Sequence, residues 1–168
     1  MAVSNLVELP AWAAELLDGA RVAHLGLVDD RSRPRVFPVT FAIAEGRIWS
    51  AVDAKPKRVV GEKLARVRFL RANPLAALTV DRYRDDWTQL AWVQVLGSVE
   101  IVQVGEAPTA LAALTAKYEP YRGSPPPGPL LALTPERCLH WRATRSPART
   151  GTESRFAGGA SGQVQRGS

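Results

Sequence analysis

Along the first eighteen residues the apolar positions recur every three to four places. Leu6, Leu9, Ala13, Leu16 and Leu17 can share one face, so the pattern predicts a short helix over 4–18, ended by Asp18-Gly19. The period then shortens towards two. Arg21 to Val28 reads as a strand, Asp29-Asp30-Arg31-Ser32 as a turn, and Arg35 to Ala44 as a second strand with Val39, Phe41 and Ile43 on one side. Glu45-Gly46 is a tight hairpin signal leading into a third strand at 47–52. These segments predict an antiparallel meander of three strands.

From Arg58 the helical period returns, with Val60, Leu64 and Val67 separated by basic residues until Asn73-Pro74 stops it. Leu75 to Val80 is a further strand, and Asp81 to Trp87 a charged loop. Thr88 to Val104 is long for one strand, and Gly97 predicts a bulge or bend within it. Ala107 to Tyr118 reads as a second good helix and Pro120 to Pro129 as an extended loop. Strand character resumes at Leu130 to Leu133 and runs through Cys138-Leu139-His140-Trp141. The expected domain is therefore α+β: about six antiparallel strands, with a helix after the third and another after the fifth. Hairpins without regular βαβ alternation favour a closed or split β-barrel over a doubly wound sheet, and no G-x-G-x-x-G fingerprint is present. The folded domain is expected over 1–145. Residues 146–168, dominated by Gly, Ser, Arg and Gln with one Phe, predict a disordered tail.

Composition narrows the class. With 46% hydrophobic and 23% charged residues in 168, the chain has the balance of one soluble globular domain. A lone Cys138 excludes an internal disulfide framework, and with only His24 and His140 beside it a structural zinc site is not expected. Cys138 itself reads as a small buried hydrophobe and both histidines as structural. No run approaches 18 apolar residues and the N-terminus lacks the charged-then-apolar order of a signal peptide, so a cytoplasmic protein is expected.

The net charge of +6 changes the picture only through its location. Residues 53–71 hold seven Lys/Arg (55, 57, 58, 63, 66, 68, 71) against Asp53 and Glu62, a local +5, and 145–168 hold four Arg against one Glu. The rest of the chain is thus net negative. A patch of this kind suits a compact anion at least as well as a duplex, and nucleic acid is not an expected partner. The densest part, Lys55-Pro56-Lys57-Arg58, stands where a strand gives way to the first turn of a helix. Cations there oppose the helix dipole by ~0.3–1 kcal/mol each. Either the helix start is simply solvated, or a compensating anion such as phosphate is bound by the free N–H groups and the side chains together.

Several segments, in order, also carry a resemblance. Pro38-Val39-Thr40-Phe41, Trp49-Ser50-Ala51-Val52-Asp53-x-Lys55-Pro56-Lys57-Arg58 and Arg71-Ala72-Asn73-Pro74 resemble the pyridoxamine-phosphate-oxidase-like split-barrel proteins. Ala76-Ala77-Leu78-Thr79-Val80-Asp81-x-Tyr83-x-x-Asp86-Trp87, Trp92-Val93-x-Val95-x-Gly97 and Lys117-Tyr118-x-x-Tyr121-Arg122-x-x-Pro125-Pro126-x-Gly128-Pro129 are similar to the actinobacterial branch that uses the deazaflavin coenzyme F420. The resemblance spans roughly 18–143. It implies a homodimer of six-stranded split barrels with cofactor sites at the subunit interface. Lys55, Lys57 and Arg58 would hold the cofactor phosphate. Backbone at Pro38, Val39 and Thr40 and at Ser50, Ala51 and Val52 would flank the ring, with Thr79 and Val80 nearby, and Trp92 and Trp87 would reach the site from the partner.

What the resemblance implies in chemistry is hydride transfer between reduced F420 and an organic acceptor with a conjugated double bond or other electrophilic carbon. The cofactor carries that chemistry, so no acid–base dyad is required and catalytic residues stay unassigned; solvent, Tyr83 or Tyr121 could supply a proton. Lys63, Arg66, Arg68 and Arg71 are either a solvated helix face or the path of F420's anionic oligoglutamate tail. Trp49, Trp87 and Trp92 are core or interface anchors in the plainer reading, ring-stackers in the functional one. Two alternatives remain open: an FMN-using oxidoreductase of the same fold, and a non-catalytic F420 carrier.

Overall fold

The computed structural model describes residues 1–52 and 64–144. The basic stretch containing Lys55, Lys57 and Arg58, and the tail expected over 146–168, lie outside the described residues. A two-residue strand β1 (Ala2–Val3) precedes α1 (Ala11–Gly19), β2 (Ala23–Val28), β3 (Pro34–Val39), β4 (Phe41–Ala44) and β5 (Arg47–Ala51). Then come α2 (Ala65–Ala72), β6 (Leu75–Arg82), β7 (Ala91–Val102), α3 (Pro108–Lys117), the short α4 (Pro120–Gly123) and β8 (Leu130–Arg142). All ladders are antiparallel, in the order β3-β2-β6-β7-β8-β5-β4, with β1 beside β8.

The two ends of that order, β3 and β4, are consecutive in the chain and joined only by Thr40. Val39 pairs with Ala23 of β2, whereas Phe41 pairs with Ser50 of β5. The expected strand over 35–44 is thus a ribbon that changes partner at Thr40 and curls the sheet into a split barrel of six ribbons. The expected three-strand meander is thus present, with its middle strand divided at Thr40, and β5 pairs on its other edge with β8. Pro34 and Pro38 cannot donate to a ladder, which suits β3 to the end of the path, where it pairs with β2 alone.

The helix expected from residue 4 begins only at Ala11. Asn5 Oδ1 accepts from the backbone N–H groups of Val7 and Glu8 at 3.0 and 3.1 Å, and Glu8 accepts from Ser4 N–H at 3.0 Å. Those side chains hold a turn in competition with a helix, and Pro10 then disfavours helical backbone at Leu9. The extended loop expected at 120–129 starts with the single turn of α4, with Pro120 in its first turn. The hairpin at Glu45-Gly46 has φ of 53° and 71°, the two left-handed residues of a type I′ turn. The bulge falls at Leu96/Gly97 as expected, because a Cβ on Gly97 would collide with the Thr134 carbonyl across the ladder.

Two apolar cores result. The barrel interior is filled by alternate residues of its strands, among them Leu25, Phe41, Ile48, Leu78, Val80, Val93, Val95 and Cys138. It is closed by Ala13 and Leu17 of α1 and by Val67 and Leu70 of α2. A second core lies between α3–α4 and the outer side of β4, β5 and the end of β7, around Trp49, Ala51, Leu114, Tyr118 and Leu130. Buried on both faces, β5 reads as Ile48, Trp49, Ser50, Ala51 with no exposed position. Among the described residues, no helix covers the outer side of β3, β2 and β6 and the first half of β7. That bare face positions the candidate site.

Candidate functional site

Antiparallel register places residues in rungs whose side chains share a face. One rung of the bare face is Pro38, His24, Thr79, Gln94 and Leu139, read across β3, β2, β6, β7 and β8. The next rung on one side is Val36, Gly26, Ala77, Leu96 and Arg137. On the other side stand Asp81, Trp92 and Trp141. Pro38 and Thr79, two residues assigned to the ring by resemblance, therefore flank His24, and Trp92 stands one rung on.

The other assigned residues divide by face. Val39 and Val80 are buried in the barrel interior, so only their backbone borders the outer face. Ser50, Ala51 and Val52 are also buried. Ser50 pairs with Phe41, next to Thr40, and Val52 N–H donates to the Pro129 carbonyl at 3.1 Å. Trp49 is a core anchor whose Nε1–H donates to the Ala44 carbonyl at 3.0 Å. Trp87 is 70% exposed. It opens a 3-10 turn held by Asp86, which accepts from Thr88 Oγ1 at 2.7 Å, Thr88 N–H at 3.0 Å and Gln89 Nε2 at 2.9 Å. The hydroxyl of Thr88, the carboxamide of Gln89 and the Thr88 N–H hold the Asp86 carboxyl below its usual range, so this member of the charged loop is a turn cap.

At the Thr40 bend two tyrosines lock the helical layer to the barrel. Thr40 Oγ1 and Tyr121 Oη are 2.8 Å apart. Tyr118 Oη accepts from Phe41 N–H at 2.9 Å and lies within donating reach of the Arg21 and Phe41 carbonyls at 3.0 and 2.9 Å. Lys117 Nζ rests 4.0 Å above the Phe41 ring. Loss of hydration pulls its pKa down and neighbouring Arg21 adds to that, with Asp18 opposing. Along α2, the guanidinium of Arg68 lies 5.4 Å over the ring of Phe69. Cys138 is fully buried and its thiol is pushed up to about 11 by that burial, which leaves no reactive thiolate near neutral pH. His140 is buried, edge-on to Trp12 with ring centroids 5.5 Å apart. His24, also expected to be structural, is instead exposed on the outer rung. Strict alternation along Ala23–Val28 could have flagged it, since buried Ala23, Leu25 and Leu27 leave His24 outward.

The family model for pyridoxamine 5'-phosphate oxidase matches residues 9–142, most of the chain. The chain belongs to that family. Solved structures with the same fold include a heme binding protein from Mycobacterium smegmatis (17% identity, TM-score 0.65), aligned over 82% of this chain and 57% of that one. An F420 reductase aligns at 22% identity over 78% of this chain and 98% of its own, with a TM-score of 0.58. A FAD-binding protein from Mesorhizobium loti aligns at 18% identity over 84% and 98%, with a TM-score of 0.56. At these identities the likeness establishes the split-barrel fold. No curated protein matches by sequence. Among the described residues, no helix is long and apolar enough to cross a membrane.

Proposed function

We propose that the protein is a cytoplasmic F420-dependent oxidoreductase acting on an organic acceptor with an electrophilic carbon. The observation that carries this reading is the meeting of separated segments at one bare face. Pro38 and Thr79 share a rung with His24 between them, and Trp92 stands one rung on. The family membership and the F420 reductase of the same fold support it. The residues fit a flat ring, because the floor at Gly26, Ala77 and Thr79 is built of small side chains; Trp92, expected from the partner, also stands on this same chain's face one rung from Thr79. Lys55, Lys57 and Arg58 would grip the phosphate, and the bare face would orient the ring and exclude water once covered. Bound there, the deazaflavin supplies the hydride.

Cover would come from a second copy of the chain. Val36 (65% exposed), Leu75 (58%), Trp141 (45%) and Trp92 (36%) present more apolar surface than a solvated sheet face needs, which supports a homodimer built on this side. The FAD-binding relative supports a second reading, an FMN-type oxidoreductase on the same scaffold, since a phosphate grip serves both cofactors. Fluorescence-quenching titration with F420 and, separately, FMN tests the proposal, with hemin as a third ligand. Selective micromolar or tighter F420 binding is expected. FMN preference would change the cofactor and keep the site; binding of neither would end the oxidoreductase reading. Replacing Lys57 and Arg58 together by Ala should cost several kcal/mol of cofactor binding, at ~1.5–3 kcal/mol per charged hydrogen bond. Unchanged affinity in the folded double variant would remove the phosphate assignment.

A further inference from the structure

At the middle of the face the rung holds the polar His24, Thr79 and Gln94, with Pro38 and Leu139 at its ends, while the central positions of the rungs beside it are mostly apolar and aromatic. Val36, Gly26, Ala77 and Leu96 lie on one side, and Trp92 and Trp141, with Asp81, on the other. Gln94 Nε2 donates to Thr79 Oγ1 at 3.1 Å. Among the described residues the side chains of His24, Thr79 and Gln94 make no other hydrogen bond. The carboxamide therefore keeps its Oε1 acceptor and a second N–H, and Thr79, accepting from Gln94, keeps its O–H as a donor. Thr79 and Gln94 are already partly buried. An apolar cover laid over this face would leave those groups unpaired at a cost that buried polar atoms seldom bear.

We infer that Gln94 and Thr79, with His24 beside them, form a subsite for the in-plane imide edge of a planar heterocycle, a carbonyl–N–H–carbonyl sequence. The inference rests on the cofactor reading above and names the part of the ring that this rung would meet. Oε1 of Gln94 accepts from the imide N–H while its free N–H donates to one flanking carbonyl. The hydroxyl of Thr79 and the imidazole of His24 are placed to serve the carbonyls. Flavin and deazaflavin both carry that edge, so the subsite serves either; a porphyrin does not carry it.

The test compares a 5-deazaflavin 5'-phosphate with its N3-methyl derivative, which lacks the imide proton, on the wild type and on Gln94→Leu and Thr79→Val. Methylation should weaken wild-type binding about tenfold, the loss of one or two neutral hydrogen bonds. Gln94→Leu should bind the parent about tenfold more weakly than wild type and treat parent and methylated ligand alike, with an unchanged circular dichroism spectrum. Thr79→Val should weaken the parent several-fold and keep the discrimination, since the carboxamide remains. Equal binding of both ligands by the wild type, or undiminished discrimination by Gln94→Leu, would overturn the subsite and leave the cofactor reading standing. Failure of the wild type to bind the parent ring phosphate as well as F420 and FMN would end both.

Discussion

Asp29 shows how one carboxylate can hold the turn that Asp29-Asp30-Arg31-Ser32 predicts. Its side chain is fully enclosed, accepting from Arg33 Nε at 2.8 Å and from the backbone N–H groups of Arg31 and Arg33 at 3.0 Å. Arg35 stands 3.7 Å away. The hydrogen bond from Arg33 is the main reason its carboxyl is lowered to about 2, against roughly 3.9 in an unfolded chain. A carboxyl depressed on folding stabilises the native state fully above the unfolded value, and that contribution is lost as pH falls from about 4 towards 2. Asp29→Asn should therefore be less stable than wild type at pH 7, with the gap narrowing through that window. Urea midpoints at pH 7, 4 and 2.5 would show it; a gap independent of pH would mean the carboxylate's charge is not what holds the turn.

Elements show what a single sequence discloses and what it withholds. Glu45-Gly46, the Leu75 strand, the helix ending at Tyr118 and the bulge at Gly97 were all legible, because each is dictated by local residues: two left-handed positions, a period, a missing Cβ. The partner change at Thr40 was not, since nothing in Pro38-Val39-Thr40-Phe41 tells which strand lies beside each half; only barrel closure decides it. For the same reason inward and outward positions could be told apart by alternation, but not that His24 would stand between Pro38 and Thr79. Two substitutions test the local logic. Gly97→Ala forces a methyl against the Thr134 carbonyl and should cost about 1–3 kcal/mol, the range of overpacking, read from urea denaturation. Tyr118→Phe leaves the buried Phe41 N–H without its acceptor and should likewise cost about 1–3 kcal/mol; a neutral result would show that the Tyr118 hydroxyl does not hold α3 to the barrel.

On the scale of the molecule, the described residues leave the outer face of β3, β2, β6 and the first half of β7 without the helical cover that α3 and α4 give to β4 and β5. A monomer would expose Val36, Leu75, Trp92 and Trp141 together on that face. If a second copy covers it, then stability of the pair and affinity for the cofactor depend on the same surface. Leu75→Asp tests this coupling without touching the polar rung, because Leu75 lies at the start of β6 opposite Ser98, two rungs from Thr79. A charge placed there should shift the protein from dimer to monomer in analytical ultracentrifugation at micromolar concentration, since an unpaired carboxylate in an apolar interface is strongly disfavoured. Cofactor affinity should fall with dimer population across a dilution series, and wild type and variant should fall on one curve when plotted against fraction dimer. A Leu75→Asp protein that stays dimeric would place the interface elsewhere. One that becomes monomeric yet binds cofactor as wild type does would mean that a single barrel carries the whole site.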